Sequence, residues 1–456
     1  MGIRLLGMKY CYSLFVGILF PTICLAQSSL EGSWKGNLSV MPGNSIALGL
    51  NIGSEQNKSV TMDSPDQGAF GLPCSILFQS ADSISIAVQS IGMTYSAKLV
   101  SDKLIGKLTQ QGYTFPLDFS RGRIIVNRPQ NPKPPFKYKV ENVTFSNPKA
   151  NNTLGGTLTL PDNFSKSTPI VIMVSGSGLQ NRDEEIFYHK PFAVLADYLA
   201  NNGIASLRYD DRGIGESSGN GAIATTADFA SDASSALNFV RNQYSKNKIG
   251  ILGHSEGGQI AFILASAPES NPDFIVTLGA PAVRGDSLLA EQSVVYLKSV
   301  GIDSIAASDY QAAVLKLYEL IKLKGAEEAK KNISSICPGW DFLPQYKAMK
   351  ANLVAITENV SPWLRYSISY SPRKDIEGIK CPALVLYGSK DTQVPSHLNA
   401  PLVEKYSPKS NVIVFDGLNH LMQHCVTGSV MEYGKIEETM SSDVMKTIAE
   451  FINSVR

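Results

Sequence analysis

The sequence lacks several features that would assign it quickly to a class of proteins. Its 456 residues carry a formal net charge of +1, with acidic and basic side chains interspersed, so we expect no nucleic-acid partner and no polyanionic substrate. No stretch beyond the N-terminal run is long and apolar enough to cross a bilayer. There is no C-x-x-C pair and no H-E-x-x-H motif, so we expect no metal and no other cofactor.

The first 26 residues differ from the rest. Two basic residues precede an apolar run from Cys11 to Ile23, and small residues follow as far as Ala26. This pattern predicts a signal peptide over residues 1–26, and hence export to the periplasm or the medium. The alternatives are a lipoprotein anchored through Cys24, which the preceding isoleucine disfavours, and a retained membrane anchor, which Pro21 and the short run disfavour.

Export would permit disulfides, and four cysteines follow the predicted signal peptide. Their spacings show no repeat, so we expect buried single thiols, with one bridge as the alternative. They are Cys74, Cys337, Cys381 and Cys425.

Residues 28–121 have the short, regularly spaced apolar alternation of strands separated by turn residues, with no helical pattern. We predict a small all-β domain, a meander or barrel. It holds no cluster of titratable residues, so we favour a packing module over a ligand-binding or substrate-docking domain. Residues 122–137 are rich in proline and predict a semi-rigid linker.

Residues 138–456 alternate short apolar strands with amphipathic helices, which predicts an α/β fold with a mostly parallel sheet covered on both faces. Residues 281–372 interrupt this alternation with helical patterns only. An insertion of this length is usually functional, so we interpret it as a helical cap over the site. The alternative is a subdomain that only supports the edge of the sheet.

The stretch from Lys248 to Ala267 contains the motif around which the chemistry is organised. An aliphatic strand is followed by Gly253-His254-Ser255-Glu256-Gly257 and then by an alanine-rich helix. A G-x-S-x-G motif between a strand and a helix is typical of a nucleophile elbow, which holds the serine on a strained turn. We therefore predict that Ser255 is a nucleophile.

A serine hydroxyl needs a base, and the base needs an orienting acid. The chain has five histidines, of which His420 follows the last predicted strand in a glycine-containing loop. We predict His420 as the base, with His424 as the alternative. Asp391 follows another buried strand and is the predicted acid, which gives the chain order serine, aspartate, histidine found in hydrolase sheets. The spacing of His420 and His424 could also suggest a metal pair, but no third ligand is evident.

The oxyanion formed during acyl transfer needs two N–H donors. One is predicted to be the backbone N–H of Glu256, directly after the nucleophile. The other is expected in the loop Ser175-Gly176-Ser177-Gly178, and we assign it to Ser177. A phosphate-binding P-loop is excluded because no lysine follows these glycines.

With these motifs in place, residues 138–456 resemble the α/β-hydrolase superfamily. The strings V-S-G-S-G-L-Q-N-R-D-E-E, L-R-Y-D-D-R-G-I-G-E-S-S-G and G-H-S-E-G-G are similar to those of secreted bacterial carboxylesterases related to serine aminopeptidase-like hydrolases, some of which carry an N-terminal β domain. The resemblance implies hydrolysis of short acyl esters, with Ser255, Asp391 and His420 matching the family triad. It also implies a structural role for Asp210 and Arg212. The sequence departs from many relatives at Ser175, where they have histidine.

Three other functions remain open. A peptidase would use the same triad but needs an anchor for an amino terminus. Glu319, Glu327 and Glu328 in the cap are candidates, although exposed helix charge is the usual explanation of such residues. A binding protein that has lost catalysis is disfavoured by an intact triad. Thioester hydrolysis is disfavoured by the predicted export.

Overall fold

We describe the protein from a computed structural model that covers residues 29–41, 44–54 and 58–455. The predicted signal peptide lies outside these ranges and stays a prediction. The described residues divide into two compact units, one that lies within residues 29–63 and 71–124 and the other within residues 64–70 and 125–455. Within the described ranges, no helix combines the length and apolar character needed to cross a bilayer.

The first unit contains one antiparallel sheet of nine strands, in the order β6-β5-β4-β3-β2-β1-β9-β7-β8. A further pairing between β6 and β7 closes the sheet into a barrel. The strands are β1 Gly32–Met41, β2 Asn44–Ile52, β3 Val60–Ser64, β4 Ala69–Gln79, β5 Ser83–Val88, β6 Met93–Val100, β7 Lys103–Gln110, β8 Tyr113–Pro116 and β9 Phe119–Arg121.

Alternation of buried and exposed side chains builds the barrel core. Every second residue of β5 and β6 is buried, because successive side chains of a strand point to opposite faces. Trp34, Tyr95 and Phe119 are fully buried inside, and the Tyr95 hydroxyl donates to the carbonyl oxygen of Leu117 (3.1 Å). The predicted all-β fold is confirmed. The prediction missed two 3-10 turns among the described residues of 28–121, Pro65–Gln67 and Gln89–Ile91.

The second unit is built on an eight-stranded sheet in the order β10-β11-β13-β12-β14-β15-β16-β17. Strand β11 pairs antiparallel with both of its neighbours, β10 and β13, and all the other pairings are parallel. The strands are β10 Lys139–Asn147, β11 Asn152–Leu160, β12 Ile170–Val174, β13 Ala205–Tyr209, β14 Ile249–His254, β15 Ile275–Leu278, β16 Ala383–Gly388 and β17 Asn411–Phe415.

Thirteen α-helices accompany this sheet in the part of the chain that the structure describes. They are α1 Pro191–Asn201, α2 Thr226–Gln243, α3 Glu256–Ser266, α4 Gly285–Ser299, α5 Ser304–Lys324, α6 Ala326–Lys331, α7 Ile333–Ile336, α8 Pro344–Glu358, α9 Pro362–Ser369, α10 Arg373–Glu377, α11 Ser396–Tyr406, α12 Val430–Tyr433 and α13 Ser442–Ser454. Strands β12, β14, β15 and β16 are completely buried, because apolar helices cover both faces of the sheet. The α/β-hydrolase fold is therefore confirmed.

The predicted helical insertion is also present. Helices α4 to α10 lie between β15 and β16 without an intervening strand among the described residues. They have their own core, in which Val314, Leu317 and Leu353 are fully buried. Helix α9 places Trp363 beside the site described below. The insertion therefore forms a cap with an independent core.

Residues 125–137 belong to the second unit. Arg128 donates to the carbonyl oxygens of Phe187 (2.8 Å) and Gly434 (2.8 Å), and the Gln130 amide bonds to the main chain of Met440 (2.8 Å). These bonds tie the proline-rich segment to the second unit. All four described cysteines are free thiols, so the alternative of one disulfide bridge was wrong.

Candidate active site

The strand-turn-helix motif predicted around Ser255 is present. Strand β14 ends at His254, Ser255 has φ 52° and ψ −117°, and helix α3 begins at Glu256. A positive φ strains any residue other than glycine, which identifies a sharp turn held by its surroundings. Gly257 has no room for a side chain, since a Cβ there would lie 2.0 Å from the carbonyl oxygen of Val174. The absence of a side chain at Gly257 therefore lets the elbow pack directly against the end of β12.

The structure brings His420 and Asp391 together after strands β17 and β16. The His420 Nδ1 atom lies 2.7 Å from Asp391 Oδ2, and both side chains are buried. Asp391 Oδ1 accepts the main-chain N–H groups of Gln393 (2.8 Å) and Val394 (2.7 Å), which fix the carboxylate. Because a carboxylate only accepts, Nδ1 carries the proton, and Nε2 of the neutral ring keeps its lone pair.

Gly279 makes room for this pair at the end of β15. It has φ +56°, and a Cβ there would lie 2.9 Å from His420 Nδ1 and 3.2 Å from Asp391 Oδ2. A side chain at this position would therefore both strain the backbone and push the ring from the carboxylate.

The loop after β12 lies beside the elbow. The main-chain N–H of Gly176 donates to Glu184 Oε1 (2.6 Å), so this amide is already engaged. Ser177, the next residue, lines the same cavity as Glu256. Glu256 is the first residue of α3, and the N–H groups of a first helical turn have no acceptor within the helix. The oxyanion roles of Ser177 and Glu256 stay predictions, with a local geometry that suits them.

A second histidine–carboxylate pair, Glu184–His254, was missed by sequence reasoning. Glu184 is 4 % exposed and has φ 51°. Its Oε1 lies 2.9 Å from His254 Nδ1, while His254 Nε2 lies 3.0 Å from the main-chain carbonyl oxygen of His420. Burial alone would lower the pKa of His254. The charge of Glu184, the hydrogen bonds to Glu184 and to the His420 main chain, and the charge of Asp391 together outweigh burial, so the pKa is raised above its ordinary value.

The Glu256 side chain carries a further buried carboxyl group. Its Oε1 accepts from Thr226 Oγ1 (2.5 Å) and from Nε1 of Trp363 in the cap (2.9 Å). Burial raises the pKa of this carboxyl, against hydrogen bonds from Thr226, Trp363 and Ser177 that lower it. Since no described salt bridge involves Glu256, it lies in the wall of the site without a paired cation.

These groups surround one cavity of about 250 Å³, large enough for a small organic molecule. Ser255 and His420 both line it, and Leu288, Leu289 and Trp363 of the cap supply an apolar wall. Among the described residues that line it there is no lysine or arginine. The cavity therefore offers no lysine or arginine to an anionic ligand.

His424, the alternative base, lies elsewhere. Its side chain is 63 % exposed, its Nδ1 lies 2.9 Å from Glu438 Oε2, and it is absent from the described cavity lining. The choice of His420 is the one that the geometry favours.

Asp210 and Arg212 have the structural surroundings that the resemblance implied. Asp210 pairs with Arg182 (2.6 Å), and Arg212 pairs with the buried Asp232 (2.6 Å). Each pairs with a neighbour rather than with the other. Neither lines the described cavity.

The glutamates suggested as an amino-terminal anchor do not reach the described cavity lining. Glu319 pairs with Lys322 (2.7 Å), Glu328 pairs with Lys331 (3.4 Å), and Glu327 is exposed. These three are surface charges of the cap helices, the usual explanation of glutamates on helices, and they do not supply an anchor.

Comparison with known proteins adds a family. The model of the family described as serine aminopeptidase, S33, matches residues 188–424. This range is about half of the chain and includes Ser255, Asp391 and His420.

Individual relatives are more distant. The chain is 27% identical over 273 residues to esterase EstD of Thermotoga maritima, a match over 59% of this chain and 58% of EstD. The match thus spans less than two thirds of that relative. Among solved structures, it is similar to the Pyrococcus furiosus esterase Pf2001 (TM-score 0.41, 16% identity, 70% of this chain and 93% of that one). It is also similar to a proline iminopeptidase of Mycobacterium smegmatis (TM-score 0.42, 15% identity, 69% and 98%).

Proposed function

Because this chain belongs to the S33 serine aminopeptidase family, we propose that it is a serine hydrolase that cleaves carboxylic esters through an acyl-enzyme on Ser255. The observation that carries the proposal is the buried His420–Asp391 pair, 2.7 Å between Nδ1 and Oδ2, on the cavity that Ser255 also lines. The relative EstD is named an esterase, which supports an ester as the bond that is cleaved.

The proposed reaction begins with attack of the Ser255 Oγ on the ester carbonyl carbon. His420 Nε2 takes the hydroxyl proton and later gives it to the departing alcohol, while Asp391 holds the ring in the required tautomer. The same base then activates a water that attacks the acyl-enzyme, releasing the acid and restoring the serine. Asp391 accepts two main-chain N–H groups on its other oxygen, which supports its role as a fixed acceptor.

The negative charge that forms on the carbonyl oxygen would be held by the main-chain N–H groups of Glu256 and Ser177. Each such donor is typically worth roughly 3 to 4 kcal/mol in the transition state. The Gly176 amide already donates to Glu184. This supports Ser177 as the donor, because its N–H is the next one along that loop.

The substrate class follows from the charge and size of the cavity. With no lysine or arginine among its described lining residues and a volume of about 250 Å³, it suits a short, uncharged acyl group. Leu288, Leu289 and Trp363 provide the apolar contacts. We therefore propose short-chain acyl esters as substrates.

A serine peptidase is the second candidate, and Glu256 is the observation that favours it. A peptidase of this family acting at an amino terminus needs a negative group near the nucleophile, and Glu256 lies directly after Ser255 with no cation paired to it. Its described donors, Thr226, Trp363 and Ser177, are neutral. A substrate ammonium group could therefore still gain from this carboxylate.

The two candidates are separated by a panel of p-nitrophenyl esters of increasing acyl length run beside aminoacyl-p-nitroanilides. We expect hydrolysis of the short esters and labelling by a fluorophosphonate, both lost in Ser255→Ala and kept in Ser299→Ala, which removes an exposed cap hydroxyl. Hydrolysis of the anilides alone, sensitive to Glu256→Gln, would establish the peptidase. A chain that neither hydrolyses nor becomes labelled would contradict both.

A further inference from the structure

The Glu184–His254 pair joins three segments that meet at the nucleophile. Glu184 Oε1 accepts the Gly176 N–H of the loop after β12 (2.6 Å) and faces His254 Nδ1 (2.9 Å). His254 precedes Ser255 in the elbow, and its Nε2 faces the main-chain oxygen of His420 (3.0 Å). Two side chains thus connect the proposed oxyanion loop, the elbow and the loop of the base.

The acceptors around His254 determine where its protons are. A main-chain carbonyl oxygen only accepts, so Nε2 must carry a hydrogen. The Glu184 carboxylate also accepts, so Nδ1 carries a hydrogen as well. Both bonds exist together only when the ring is an imidazolium, with Glu184 as its counter-ion.

The surroundings of the pair are otherwise acidic. Asp391 faces His254 and favours its charged form, and the His420 ring lies with its centroid 4.7 Å away. On the other side, Asp211 accepts the main-chain N–H of Gln180 (2.8 Å). Burial, with a smaller contribution from the charge of Glu184, raises the pKa of Asp211 to about 8. No lysine or arginine is described among the groups that shift the pKa of His254.

We propose that Glu184 and His254 are positioning residues of the hydrolase, which hold the Gly176 amide and the His420 main chain in place only while His254 is protonated. The inference rests on the proposed function, since it assigns these two residues to the same reaction. Neither needs to touch the substrate. Their effect on the rate is exerted through His420 and the neighbouring oxyanion loop.

Loss of the His254 proton breaks one of its two bonds, whichever nitrogen is left bare. A lone pair then faces either the Glu184 carboxylate or the His420 carbonyl oxygen, and both arrangements are repulsive. The loop that carries His420 loses its support, so kcat falls on the alkaline side of the pH profile. Glu184 and His254 also line the cavity, but its apolar wall of Leu288, Leu289 and Trp363 is unchanged, so we expect KM to change less than kcat.

The test is Glu184→Gln, which keeps the shape but removes the counter-charge. The glutamine oxygen can still accept from Gly176, but His254 then stays neutral in its buried position and keeps one bond instead of two. We expect kcat on a short p-nitrophenyl ester to fall about tenfold near neutral pH, as for the loss of one charge-assisted hydrogen bond. KM should stay within about twofold.

The pH profile provides the readout that a purely structural role would not move. The wild-type rate should fall at alkaline pH and approach that of Glu184→Gln, whose own profile should lack this limb. Glu185→Gln is the matched control, because it removes the carboxylate of the next residue, which is partly exposed and pairs with Lys190 (3.4 Å). It should keep the wild-type profile.

Parallel wild-type and Glu184→Gln profiles, with Ser255 still labelled by a fluorophosphonate, would overturn the positioning role and leave the hydrolase intact. Absence of labelling and turnover in the wild type would instead overturn the proposed function. If Glu184→Gln does not fold, ¹⁵N spectra of the histidines in the wild-type protein decide the question. One ring of five should remain an imidazolium above neutral pH, and its absence would contradict the proposal.

Discussion

Two buried histidine–carboxylate pairs lie side by side at this site, and the centroids of their imidazole rings are 4.7 Å apart. They differ in the partner of the ring nitrogen that does not face the carboxylate. His420 has Nδ1 on Asp391, and its other nitrogen lies in a ring that lines the cavity with Ser255. His254 has Nδ1 on Glu184 and Nε2 on a main-chain carbonyl oxygen. The first arrangement leaves a lone pair for a proton, and the second leaves none.

The comparison shows that burial beside a carboxylate does not by itself identify a general base. Both pairs have that feature. What separates them is the partner of the remaining nitrogen, because a ring that donates twice can hold the chain but cannot accept a proton. One pair therefore suits proton transfer and the other suits positioning.

Removal of the carboxylate from the first pair should have the largest effect. In Asp391→Asn the amide can donate to Nδ1, which stabilises the tautomer with the hydrogen on Nε2 and leaves no base towards Ser255. We expect kcat on a short ester to fall by about 10⁴-fold, as in serine proteases with the same change. Steady-state kinetics with wild type and variant at neutral pH measure it.

Glu184→Gln, which removes the other carboxylate, is the direct comparison in the same assay. Its loss should be about a thousand times smaller than that of Asp391→Asn, given about 10⁴-fold for a triad carboxylate and about tenfold for a positioning bond. Equal losses in the two variants would mean that the pairs do not divide the roles in this way.

The first pair could be predicted from sequence because its residues follow local patterns. A G-x-S-x-G motif between a strand and a helix located Ser255, and the ends of two later apolar strands located Asp391 and His420. Parallel strands bring their carboxyl ends to one edge of the sheet, so residues far apart in sequence could be placed together. The strand patterns likewise predicted both sheets and the helical cap.

The second pair could not be predicted in this way. Glu184 lies in an irregular segment, and its side chain reaches His254 only because its own φ is positive, at 51°, which no spacing signals. His254 occupies the variable position of the elbow motif, where the residue type carries no general meaning. The string N-R-D-E-E, which contains Glu184, indicates only a family resemblance and no role for that residue. The two explanations of the cap glutamates could not be separated from the sequence for a related reason, since a helical pattern does not determine which face meets the cavity.

Crowding the first pair without changing its chemistry should have an intermediate effect. In Gly279→Ala the new Cβ would lie 2.9 Å from His420 Nδ1 and 3.2 Å from Asp391 Oδ2. We expect kcat to fall by about 10- to 100-fold, the range for a small misplacement of catalytic groups. The same ester assay measures it, together with the melting temperature.

Gly203→Ala is the control for backbone strain. Gly203 has φ +78°, and a Cβ there would meet nothing within 4 Å, so this variant shares the left-handed strain without the crowding. It should lose stability but keep its kcat. A loss of kcat in Gly203→Ala as large as in Gly279→Ala would mean that strain alone is responsible.

The smallest effect concerns stability, and its pH dependence tests the charge of the second pair. The pKa of His254 is raised in the folded protein, so the pair stabilises fully below the unfolded value and loses this contribution as pH rises through the folded value. We expect Glu184→Gln to unfold with a free energy about 2 kcal/mol lower near pH 6, as for a buried bond to a charged group. That difference should shrink steadily from there towards alkaline pH as wild-type His254 loses its proton. Chemical denaturation across this pH range measures the difference, and Glu185→Gln is the control, whose stability relative to wild type should not change with pH. A Glu184→Gln difference that stayed constant or widened would contradict the imidazolium.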